Sequence, residues 1–165
     1  MKFKIINLSD GSQKDRSFHD LSSSLSSSCV ILRAKEEGFE SIGLVTPHTL
    51  VFFAVEFAHY ALQNYTKKII PEAQTCIDLT RKWLEDQSSV SDEELKTAAD
   101  AAAYAADAAA NAAYYAANAA ANAAYAYAAD ADAADAADAA ADAAKNKLFE
   151  QNRQATFILN FFGVE

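Results

Sequence analysis

Residues 98–144 read AADAAAYAADAAANAAYYAANAAANAAYAYAADADAADAADAAADAA. Only Ala, Asp, Asn and Tyr occur in this tract, with 32 alanines, seven aspartates and no basic residue. Such low complexity does not spell disorder. Alanine has the highest intrinsic helix propensity, loses no side-chain entropy on folding, and lets neighbouring helices approach to the short end of their usual separation. Asp100, Tyr104, Asp107, Asn111, Tyr114 and Asn118 recur at alternating steps of four and three, which makes one polar seam and leaves alanine on the rest of the circumference. A helix of this kind is suited to lie between other helices.

A single rod over 92–147 would be roughly 80 Å long, whereas a compact domain of this size has a radius of gyration of about 15 Å. The tract is therefore expected to fold back. The reversal is placed within 118–132, where Asn tolerates a left-handed turn residue and the four-three spacing breaks between Asn118 and Asn122.

Upstream, Ser91 followed by Glu94 is a capping box, with Val90 and Leu95 spaced as its hydrophobic staple. Pro71 suits the first turn of a preceding helix, in which Ala73, Cys76, Ile77, Thr80, Trp83 and Leu84 share a face. Before that, 48–66 is apolar on most sides, with Glu56, His59, Gln63 and Lys67 as a narrow polar stripe, the pattern of a largely buried helix. The first 46 residues differ. A strand is expected over 2–8 and another over 29–32, with turn signals near Gly38 and Gly43, and the serine-rich stretch 22–28 reads equally as linker or short helix. Downstream, Leu148, Ala155, Ile158, Leu159 and Phe162 mark a last amphipathic helix that Gly163 can cap, and Lys145 is placed three residues from Asp142.

The whole chain has 165 residues, 22% of them charged, and a net charge of −9. This size supports one compact domain, divided here into an N-terminal segment, 1–46, and an alanine-rich helical domain, 47–165. The acidic balance argues against sequence-specific binding of nucleic acid, which needs a basic footprint, and no apolar run is long enough to cross a bilayer. The N-terminus lacks a signal-peptide core, so a cytoplasmic location is expected, in a bacterial cell or in the host of a phage. Cys29 and Cys76 stand outside any metal-ligand spacing and are expected to be reduced and buried.

Few residues suggest chemistry. Glu56 and His59 form one E-x-x-H pair, half of a di-metal carboxylate site, and the second half is missing, so a hydrogen-bonded stripe is the better reading and no metal or cofactor is expected. Neither cysteine has the neighbours of a nucleophile, and glycine-rich phosphate loops are lacking. Alanine helices that bind ice use regular threonines, and 98–144 has none. Asp130, Asp132, Asp135, Asp138 and Asp142 remain, a run without a cation among them that can steer a basic partner or simply keep an alanine-rich helix soluble.

The series Ala58-His59-Tyr60-Ala61-Leu62, then Ile77-Asp78-Leu79-Thr80-Arg81-Lys82-Trp83-Leu84, then a Ser-capped acidic turn and Tyr-Ala-Ala-Asp-Ala-Ala units resembles an alanine-rich family of immunity proteins from bacterial toxin-immunity loci and phage genomes. The likeness covers about two-thirds of the chain, 52–162, and departs from the family at Pro71-Glu72-Ala73-Gln74, where members carry a basic entry to the Trp helix. It implies binding and inhibition, with no catalytic motif to carry over.

These readings predict a mainly α protein, a helical bundle with close-packed alanine-rich helices and a small, partly β N-terminal segment. The expected function is that of a non-enzymatic inhibitor that binds a basic protein partner, a toxin or a host defence nuclease such as a CRISPR effector, through the five aspartates. The alternative is a helical scaffold that self-associates, as a homodimer, through alanine faces.

Overall fold

The computed structural model describes residues 2–66, 70–107, 112–125, 130–144 and 146–164, without the side chains of 104–107, 112–114, 116, 117, 125 and 130–134. Among these residues the chain forms four strands, β1 (Lys2–Asn7), β2 (Gln13–Ser17), β3 (Cys29–Lys35) and β4 (Gly38–Val45), and six helices. The helices are α1 (Pro47–Tyr65), α2 (Pro71–Glu85), α3 (Asp92–Asp107), α4 (Ala112–Tyr125), α5 (Asp130–Ala143) and α6 (Lys147–Phe161). A 3-10 turn, Ser22–Ser24, occupies the serine-rich stretch.

The strands make one antiparallel sheet in the order β2-β1-β3-β4. This corrects the mainly α reading: the fold is mixed α/β, with a complete sheet where a small, partly β segment was expected. Two strands were hidden for different reasons. β2, Gln-Lys-Asp-Arg-Ser, has no apolar residue, because it is an edge strand that buries almost nothing. β4 lacks a clean alternation because a bulge leaves Ile42 unpaired between Ile31↔Gly43 and Leu32↔Ser41, and its glycines read as turn signals. Gly43 serves another need: a Cβ there would lie 2.3 Å from the Phe162 ring, so only a hydrogen allows the sheet to close on the C-terminal residues.

The inner sheet face, Phe3, Ile5, Cys29, Ile31 and Val45, joins a single hydrophobic core with the helices. Thr46 caps α1, its Oγ1 accepting from the Thr49 N–H at 3.1 Å, and Pro47 fills the first turn. The helix is buried along most of its length, as its composition predicts. On one side it meets α6 through rings, Phe53 lying edge-on to Phe161 at 5.1 Å between centroids. The last turn of α6 closes in a Schellman arrangement, with Gly163 at φ +73° and the Val164 N–H donating to the Leu159 carbonyl at 2.9 Å. Leu148, read as part of the apolar face of α6, is instead exposed.

The capping box forms as predicted. The Ser91 N–H donates to Glu94 Oε2 at 2.8 Å, the Glu94 N–H returns to Ser91 Oγ at 3.3 Å, and Val90 and Leu95 are buried. The alanine tract folds back, and does so as three helices. α4 ends at Tyr125 and α5 starts at Asp130, which puts one break inside the expected 118–132 window, at residues outside those described. α3 and α4 also pack against each other, so the chain reverses a second time between Asp107 and Ala112, at residues outside those described, where no reversal was expected. α4 packs along both α3 and α5 and also against α1 and α2, with Ala119, Ala120, Ala121, Ala123 and Ala124 buried.

Candidate functional site

The acidic run sits on and around α5. Asp130 and Asp132 have side chains outside the described residues. Asp135 and Asp142 are exposed, while Asp138 is half-buried. The run is not free of cations in the fold, because Lys147, from the start of α6, donates to Asp142 Oδ1 at 2.5 Å. The expected partner Lys145 lies outside the described residues.

Burial raises the carboxyl of Asp138 above its ordinary range, the negative charges of Asp142, Asp135 and Asp20 add to that, and Lys147 opposes it. Asp20 was not a candidate. The serine turn packs against α5 and brings it close, and nothing local in the sequence announces a contact of such separation. The structure thus groups Asp135, Asp138 and Asp142 with Asp20 and Lys147 at the junction of the N-terminal segment and α5. Asp135 is the member left outward with its carboxylate unpaired in any ion pair seen among the described residues.

Beside this surface runs a buried polar network. Glu150, fully buried, accepts from Tyr65 Oη at 2.6 Å and from both Nε and Nη2 of Arg153 at 2.7 and 2.6 Å. Gln154 donates to the Ala137 carbonyl at 3.0 Å and accepts from Ser22 Oγ at 2.7 Å. Arg153 also lies 3.6 Å from the centroid of the Tyr60 ring. Burial and the bond to Glu150 push the Tyr65 phenol far up, so it stays a neutral donor. These groups satisfy one another and tie the serine turn, α1, α5 and α6 together, a positioning role rather than an open chemical site.

The Glu56 stripe is consumed between α1 and α2. Glu56 Oε1 accepts from Arg81 Nε at 3.0 Å and Nη2 at 2.7 Å, and Gln63 donates to Gln74 at 3.3 Å. His59 Nδ1 is buried without a hydrogen-bond partner among the described residues, and burial holds its imidazole below the usual pKa. Both cysteines are buried, and neither is in a disulfide. The Cys76 thiol donates to the Ala120 carbonyl at 3.2 Å, and burial pushes its pKa up to about 12.

Charge is divided unevenly between the two halves. The first 46 residues carry six basic and six acidic side chains, so the whole net charge of −9 belongs to 47–165. No described helix is long and apolar enough to cross a membrane. Compared with models of known families, with curated proteins and with solved structures, the chain matches none.

Proposed function

We propose that this protein is a non-enzymatic inhibitor that captures a basic protein partner, a toxin or a defence nuclease, on the acidic side of its helical layer. The uneven charge carries the reading. An excess of nine negative charges on residues 47–165 beside an electrically balanced segment 1–46 gives the molecule a polarity that orients an approaching cationic surface and speeds encounter. Exposed Asp135 leads this surface, Asp142 is shared with Lys147, and the half-buried Asp138 sets its inner border. The likeness to alanine-rich immunity proteins points the same way.

The test is capture of a partner by the tagged full chain, identification of that partner, and measurement of its affinity as salt is raised. A basic partner whose affinity falls steeply with salt, and falls again for Asp135→Lys, supports the reading. Asp138→Lys is a poor probe, because it places a cation at a half-buried position. An acidic partner, or binding indifferent to both salt and Asp135→Lys, overturns it.

A further inference from the structure

The two edges of the sheet are unlike. β2 ends it with Lys14, Asp15 and Arg16, a charged strand of the kind that resists pairing with another chain. β4 is eight residues long and has one charge, Glu40, whose carboxylate is already held by Arg33 Nη2 and Lys35 Nζ of its own chain, both at 2.8 Å. Beyond its ladder with β3, no backbone hydrogen bond of β4 is found among the described residues. Two large apolar side chains on it stand out, Phe39 at 51% and Leu44 at 49% exposure.

The bulge gives this edge a symmetry. Pairing with β3 puts Phe39 opposite Ala34, Ser41 opposite Leu32 and Leu44 opposite Val30, all on the outer face, where Lys4 Nζ also lies 4.6 Å from the Phe39 ring centroid. Glu40, Gly43 and Val45 point the other way, opposite Arg33, Ile31 and Cys29. An uninterrupted strand alternates strictly, so residues 39 and 44 would face opposite sides. The unpaired Ile42 shifts the alternation by one and brings them to the same side. A two-fold axis between Ser41 and Ile42 therefore sets Phe39 beside Leu44 on the outer face and Glu40 beside Gly43 on the inner one, with the bulge residues Ser41 and Ile42 at the axis. The same register carries the exposed turn residue Glu37 opposite Thr46 of the other copy, at the N-terminus of α1, whose own first turn holds no acidic residue.

We infer that β4 is a dimerisation edge, at which a second copy of this chain adds antiparallel to β4 and continues the sheet across a two-fold axis. The occupant is a second copy because the apolar pair and the charge on the turn complement the same strand read backwards. A single strand pair with two Phe39–Leu44 contacts falls at the small end of specific interfaces, so the dimer is a weak, reversible one. This inference is independent of the acidic surface, which lies on the helices.

Sedimentation of the full chain over a range of concentrations tests it. The expected result is a monomer–dimer equilibrium that Phe39→Lys and Leu44→Lys each weaken by about tenfold or more, and that Phe149→Lys, at an exposed position near the start of α6, leaves unchanged. A mixture of Phe39→Cys and Leu44→Cys chains should oxidise to a linked heterodimer, while neither alone forms a linked dimer, because equivalent positions are far apart in this register. A monomer at every concentration overturns the inference. So does a dimer broken by Phe149→Lys and indifferent to Phe39→Lys.

Discussion

Two seams of this molecule solve the same packing problem with opposite materials. α1 and α6 meet through rings, Phe52, Phe53 and Phe57 against Phe157, Phe161 and Phe162, which hold the two backbones apart and fill the gap with aromatic volume. α4 and α5 meet through methyl groups and bring their backbones together along their lengths. In the first seam stability comes from a few large buried areas. In the second each residue buries little, yet ordering an alanine costs no side-chain entropy, and close backbones add dispersion contacts. The two seams should therefore fail under opposite substitutions: the phenylalanine seam when a residue shrinks, the alanine seam when one grows.

Phe53→Ala removes a fully buried ring and should cost about 3–5 kcal/mol in urea unfolding. A loss below 1 kcal/mol would show that the rings fill space the core does not need. Where the halves meet, Glu150→Ala leaves Arg153 and the Tyr65 hydroxyl without their buried acceptor, a loss of about 3–5 kcal/mol. Glu150→Gln keeps the shape and should recover part of it. Ser91→Ala removes the cap at the start of the alanine region and should cost about 1 kcal/mol.

The smallest effect is a pH dependence at Asp138. Its pKa is raised in the fold, so ionisation is easier in the unfolded chain, and stability is lost as pH rises from the ordinary carboxylate range through the raised value. Asp138→Asn should accordingly be more stable than the parent at neutral pH, with the gain vanishing in acid. The opposite trend in thermal melts across pH would mean that Lys147 dominates at this position.

The same contrast explains what the sequence reveals. Helices were legible because their signals are local: Pro71, the Ser91–Glu94 box and Gly163 each mark an end by their own chemistry. The reversal that lets α3 pack on α4 was not, since neither glycine nor proline is present between them and the polar spacing runs through. β2 and β4 escaped because an exposed edge removes the apolar half of the alternation and a bulge removes its period. At the candidate site the aspartates of α5 were legible by composition. Asp20 was not, because only the packing of the serine turn against α5 brings it to that surface.

The claim that methyl-only faces let α4 sit among its neighbours is tested most directly by thermal unfolding of Ala120→Leu. Ala120 is fully buried, and its carbonyl accepts from Cys76 of α2, so three added carbons must push α4 away. The expected result is a loss of about 1–3 kcal/mol, a fall in Tm of roughly 3–10 °C for a chain of this length. An unchanged or higher Tm, with helicity retained, would show that space remained between these helices and would contradict the account.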